Sequence, residues 1–143
     1  MSIKFNANHI RIIALFENVT GAVVKDCIID DEKEIITFVV KKGDMGLAIG
    51  KGGKSVSKFQ RSVGKQVEII EMDEDPEIFI THTLLPAKLK SINISTNKNG
   101  EKIAFVTADN TNKRIAIGKK GAKIERAKTL LRRQHDIQNI LIR

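Results

Sequence analysis

Two short segments hold the residues best suited to chemistry, Gly50-Lys51-Gly52-Gly53 and Gly118-Lys119-Lys120-Gly121. Each is a G-x-x-G with lysine at its centre, entered from an isoleucine, Ile49 or Ile117, and left through a basic stretch. Glycine lets the backbone turn sharply and approach a ligand with no Cβ in the way. A helix starting just after it offers unpaired N–H groups and the positive end of its dipole. Together with mobile lysine charge, these features suit the grip of a sugar-phosphate backbone. A single G-x-x-G would usually be a plain corner between two helices, and the second occurrence is what shifts the weight toward function. A nucleotide-binding P-loop is the other candidate, since Gly53-Lys54-Ser55 imitates the end of G-x-x-x-x-G-K-[ST]. Its first glycine would have to stand at position 48, which is Ala48, and the second segment continues Gly121-Ala122-Lys123 with no lysine directly after its glycine.

Charge gathers behind the same loops. From Lys51 to Lys65 there are five basic residues, Lys51, Lys54, Lys58, Arg61 and Lys65, and no acid. Their steps of 3 and 4 predict one helical stripe as far as the helix lasts, which Gly64 is expected to end. From Lys113 to Arg133 nine basic residues, Lys123 and Arg126 among them, face one acid, Glu125. A charged stripe is ordinarily a solvated helix face, but beside a phosphate-shaped loop it becomes part of a candidate site.

No catalytic constellation accompanies them. His9, His82 and His135 fall in unlike elements with no metal-binding spacing, and Asp73, Glu74, Asp75 and Glu77 read as helix-start charges in a linker. The single cysteine, Cys27, lies in an apolar run with no histidine beside it, which predicts a buried strand residue and leaves no intrachain disulfide. The expectation is a protein without enzymatic activity, metal or cofactor.

The elements that must position the loops follow from aligning the chain with itself at an offset of 68 residues. Leu47 to Gly53 falls on Ile115 to Gly121 with five of seven positions identical. Each copy then reads helix, strand, strand, helix, glycine loop, helix, strand. The first helix is expected over Asn8 to Asn18, with Ile10, Ile13, Ala14 and Phe16 on its apolar face and Thr20-Gly21 closing it, and over Asp75-Pro76 to Leu85 in the second copy. Strands follow at Ala22 to Ile29 and Glu34 to Val40, then at Lys88 to Thr96 and Glu101 to Ala108. Short helices over Asp44 to Ile49 and Asn110 to Ile117 enter the loops. Helices over Lys54 to Val63 and Ala122 to Gln134 leave them, and strands over Lys65 to Glu71 and Ile137 to Arg143 close the copies. The expected architecture is α+β in two modules, residues 1–72 and 73–143, joined by the acidic stretch Glu71 to Asp75, too short to let them tumble freely.

Composition agrees. The 143 residues are 41% apolar, enough for packed cores, and a net charge of +8 points to a polyanionic partner, while charge alone does not decide among nucleic acid, a membrane surface and mere solubility. The start MSIKFNANHI has no secretory pattern and no apolar run is long enough for a bilayer, so a soluble cytoplasmic protein with no membrane partner is expected. With neither Trp nor Tyr, an aromatic base-stacking platform such as an RRM is disfavoured.

The order of elements around G-x-x-G resembles the prokaryotic, type II form of the KH module, whose loop clamps about four nucleotides of single strand. That resemblance implies two tandem KH domains, each a three-stranded sheet packed with helices. It also implies an aliphatic floor for bases at Ile49, Val56, Ile117 and Ile124, positions that plain burial in a core would equally explain. VVKDCIIDDEKEIITFVVKKGDMGLAIGKGGKSV, followed by a second copy opening EIFITHTLLPAKLKS, is similar to the tandem KH region of NusA-type transcription factors. The likeness is to the short archaeal form, without the polymerase-binding domain and S-type barrel that precede the pair in bacteria. It implies RNA-binding roles for Ile49, Gly50, Lys51, Gly52, Gly53, Lys54, Lys58, Arg61, Ile117, Gly118, Lys119, Lys120, Gly121, Lys123 and Arg126. It further implies a monomer that holds single-stranded nascent RNA in transcription termination, antitermination or elongation, with RNA polymerase as a further partner. A KH protein of RNA processing or ribosome assembly is the alternative.

Overall fold

The computed structural model describes residues 6–143. Within them the chain divides into two compact units, one ending at Asp73 and the other running from Glu74 to Arg143.

The first unit opens with helix α1, Ala7–Thr20, where the Asn6 side chain accepts from the His9 N–H and Gly21 ends the helix in left-handed conformation. Strands β1, Val24–Asp30, and β2, Ile35–Val40, pair antiparallel. After helix α2, Met45–Ile49, a 3-10 turn over Lys51–Gly53 and helix α3, Lys54–Val63, strand β3, Gln66–Glu71, joins β2 in parallel. The sheet order is β1-β2-β3. A parallel neighbour needs a crossover connection, and here α2, the turn and α3 together are that crossover. The core gathers Ile12, Phe16, Cys27, Ile36, Phe38, Val40, Ala48 and Phe59. Phe16 stacks on Phe38 at 4.0 Å, and Phe59 meets both rings edge-on at 5.1 and 5.4 Å, the T-shaped contact aromatic quadrupoles favour. Cys27 is buried, the place its apolar run predicts.

The second unit repeats the plan. Helix α4, Pro76–Leu84, is capped by Asp75, and strands β4, Ser91–Thr96, and β5, Lys102–Thr107, form the antiparallel pair. Helix α5, Asn110–Ile117, a 3-10 turn over Lys119–Gly121 and helix α6, Ala122–His135, lead to β6, Ile137–Ile142, parallel to β5. Buried Phe79, Ile80, Leu84, Leu130, Leu131, Ile137 and Ile140 supply its interior.

Two expectations are corrected. In α1 the buried side chains are Ile12, Phe16 and Thr20, while Ile10 is 60% exposed and Ala14 also faces solvent. The buried stripe runs i, i+4, i+8 from Ile12; a 3.6-residue period fits two neighbouring stripes that share Phe16, and packing on Phe38 and Phe59 chooses between them. Strand β4 starts at Ser91, not Lys88, because the Lys88 N–H is taken by the Asn112 side chain at 2.8 Å.

Candidate nucleic-acid interface

Both glycine segments fold into the same backbone. Gly50 has φ 77° and ψ 169°, and Gly118 has φ 78° and ψ 176°. Extended ψ combined with positive φ is a region essentially reserved for glycine. The space is closed as well. A Cβ on Gly50 would overlap Ser55 Oγ and lie 2.8 Å from the Ser55 backbone nitrogen, and one on Gly118 would lie 2.6 Å from Lys123 Cβ. The first glycine is thus required by conformation and by contact. The last, Gly53 or Gly121, is left-handed with nothing within 4 Å of its would-be Cβ, so its open side is free for a ligand to approach.

Between the glycines the chain makes one 3-10 turn, in which Gly53 N–H donates to Gly50 O at 3.1 Å and Gly121 N–H to Gly118 O at 3.2 Å. The turn's centre is left-handed in both copies, at Gly52 with φ 63° and at Lys120 with φ 55°. Lys51, Gly52, Lys119 and Lys120 are all exposed. Behind the turns, α3 and α6 start from glycine with no side-chain cap, whereas α1, α4 and α5 are capped by Asn6, Asp75 and Asp109. The first amides of α3 and α6 are used by the turn itself, Lys54 N–H donating to Lys51 O and Ala122 N–H to Lys119 O, so what each helix start turns toward a candidate anion is the positive end of its dipole with no carboxylate cap to offset it.

Each entry helix is tied to its sheet by polar contacts distant in sequence. Asp44, just before α2, accepts the Val23 N–H at 2.9 Å, and Glu71 of β3 accepts the Gly43 N–H at 3.1 Å. In the second unit Asn112, 68 residues after Asp44, accepts the Lys88 N–H, and its own backbone N–H caps onto Asp109 at 2.8 Å. That Asn112 N–H, followed by the Asn112 side chain, lowers the pKa of Asp109, and the Lys90 charge adds to the effect. Asp44, Asn112, Glu71 and Ser55 escaped the sequence reading. Polar residues at matching places in the two copies were the available signal for the first pair.

The other expected residues are placed as follows. Lys54, Lys58 and Arg61 are exposed on α3, but Lys65 leaves the stripe because the helix has ended at Gly64 and its ammonium pairs with Asp31 at 2.6 Å. Lys123 and Arg126 are half-buried on α6. Lys128 pairs with Glu125 at 3.4 Å, which offsets its charge, and Arg132 donates to the Gln138 carbonyl, which holds its side chain toward β6. Ile49 is 39% exposed; Val56, Ile117 and Ile124 are half-buried, while the neighbouring Ala48 and Ala116 carry the core contact. The four isoleucine and valine side chains thus remain partly accessible beside the loops. Ala48, where a P-loop would need glycine, is fully buried. Among the described residues no group of three or more His, Cys, Asp or Glu could hold a metal, and no helix is long and apolar enough to cross a membrane.

Comparison with known proteins agrees with this geometry. Residues 10–99 match the KH domain family, and residues 76–142 match the NusA-like second KH domain. The chain is 36% identical to the "Probable transcription termination protein NusA" of Halococcus morrhuae, over 98% of both chains. It is 39% identical to the protein of the same name from Methanococcus vannielii, covering 99% of this chain and 80% of the relative. The crystal structure of APE1850 superposes with a TM-score of 0.81 at 30% identity, over 97% of this chain and all of the other. Two three-stranded α+β units with matching glycine turns, and relatives of 36% and 39% identity aligned along nearly all of this chain, place it in the family of archaeal NusA-like proteins with two tandem KH domains.

Proposed function

We propose that this chain is a non-enzymatic RNA-binding factor of transcription, which holds single-stranded nascent RNA on its two glycine turns and acts in termination, antitermination or elongation. The observation that supports it most is the duplicated turn. Exposed lysines sit over an uncapped helix start in both copies, in the same backbone conformation, although the central residues differ. The exposed lysines, helped by the positive helix ends behind them, would bind phosphates, which fixes register without reading sequence. The partly exposed Ile49, Val56, Ile117 and Ile124 would meet unstacked bases, which a duplex cannot present.

The test is Lys51→Asp with Gly52→Asp, and separately Lys119→Asp with Lys120→Asp, assayed for single-stranded and duplex RNA binding. Lys51, Lys119 and Lys120 are exposed, so the unfolding midpoint of the Lys119→Asp, Lys120→Asp protein should hardly move, while Gly52→Asp adds the cost of a left-handed residue, about 1–2 kcal/mol; affinity for single strands should fall in both. Unchanged affinity in folded variants, or tighter binding of duplex than of single strand by the parent, would overturn the assignment. RNA recovered with the protein from cells should be enriched in nascent transcripts.

A further inference from the structure

We infer that β4 is a self-association edge, through which two copies of this chain join their second sheets into one. This departs from the monomer expected from sequence and stands apart from the RNA-binding reading.

Three observations carry it. First, Ser91-Ile92-Asn93-Ile94-Ser95 reads the same in both directions. Antiparallel pairing of two such strands about Asn93 sets Ile92 opposite the second copy's Ile94 twice, Ser91 opposite its Ser95 twice, and Asn93 opposite Asn93. Every pair is like with like on the same face, the self-complementarity a two-fold interface requires. Second, the edge is open. In the order β4-β5-β6, β4 is hydrogen-bonded on one side only, and the run from Ser91 to Thr96 has no charge and no proline. Its register with β5 is unbroken.

The equivalent edge in the first unit is blocked in every one of these respects. β1 contains Lys25 and Asp26, its register with β2 shifts between Val24 and Asp26, and the Glu17 carboxylate takes the Val24 N–H at 2.8 Å. Charges, bulges and covered N–H groups are the devices by which proteins prevent edge pairing. Position 85, which matches Glu17 in the repeat, is Leu85. One edge is guarded and its twin is not.

Third, apolar surface lies where an added strand would cover it. Ile78, Leu85, Leu89 and Ile92, together with the charged Asp75, Glu77, Lys88 and Lys90, line an open groove of about 550 Å³ between α4 and the start of β4, and Ile78 and Leu85 are 43% and 47% exposed. An incoming strand would place its own isoleucines on the helix-bearing face beside them. A pairing of five residues is smaller than a standard interface, so the association is weak and concentration-dependent.

Sedimentation velocity on the full chain, from about 1 μM to about 1 mM, should show the mean mass rising from monomer toward dimer. Asn93→Lys places two ammonium groups against each other at the two-fold axis and should keep the chain monomeric throughout, with an unchanged far-ultraviolet spectrum. Asn93→Glu should do the same alone, and an equimolar mixture of the two variants should regain the dimer. A wild-type chain that stays monomeric, a lysine variant that associates like wild type, or a mixture that fails to associate would each overturn the inference.

Discussion

Replacing Gly50 by alanine should damage the first unit far more than replacing Gly53, although the two glycines end the same turn. At Gly50 the substituted residue would sit at φ 77° and ψ 169°, which costs about 1–3 kcal/mol. Its Cβ would also press on Ser55, where the backbone nitrogen lies only 2.8 Å away, and relieving such overpacking costs about 1–3 kcal/mol more. The sum, ~2–6 kcal/mol, is a large part of the stability of a small domain. At Gly53 the residue would be left-handed in open space, costing about 1–2 kcal/mol, partly offset because alanine restrains the unfolded chain. Urea unfolding of the two variants measures the difference, and RNA titration of the folded Gly53→Ala protein should show weakened binding, since its methyl group occupies the side a phosphate would approach. Adding Ser55→Ala to Gly50→Ala should restore little, because the backbone nitrogen remains. Equal destabilisation by both substitutions, or full rescue by Ser55→Ala, would refute the two-fold requirement for the first glycine.

The centre of the turn offers a reciprocal exchange: Lys120→Gly should relieve a left-handed lysine yet lower the magnitude of the log-affinity against log-salt slope by about 0.7 for single-stranded RNA, and Gly52→Lys should raise it by a similar amount. Salt-dependent titrations of the two variants check this, and unchanged slopes would remove the central lysine from phosphate contact. The lowered pKa of Asp109 means that its stabilising effect is complete above the ordinary carboxylate value of about 3.9 and is lost as pH falls through the folded-state value. Asp109→Asn keeps a capping side chain without that titration, so its urea midpoint should fall less than that of wild type as pH is lowered from 5 toward about 3; parallel curves would rule the cap out as an acid-sensitive point.

The repeat, the element order and both glycine turns were legible in the chain because they depend on local signals. Glycine spacing, the Asp75-Pro76 helix start and alternating β-branched strands each act within a few residues. What stayed hidden depends on partners distant in sequence. Nothing near Lys88 marks its N–H as belonging to Asn112, and nothing in Asn8 to Asn18 tells that Ile10 faces out, because that choice is made by Phe38 and Phe59. The ion pair of Lys65 is similar, since its partner Asp31 lies in the β1–β2 turn, 34 residues earlier in the chain. The like conformation of Gly52 and Lys120 was also beyond reach, because a lysine at that place gives no local hint of a left-handed backbone.

Placing each turn inside the crossover between two parallel strands sets an order of events during synthesis. The central strand β2 is made before the turn, and β3, the parallel neighbour that closes the crossover, is made after it. Until residues up to Glu71 have left the ribosome, the far end of α3 has no strand to return to, and the glycine turn is a tethered loop without a fixed shape. The same holds for the second turn until β6, which ends at Ile142, has emerged. The fixed shape of the turn therefore comes last in each unit, the first turn maturing while the second unit is still being translated.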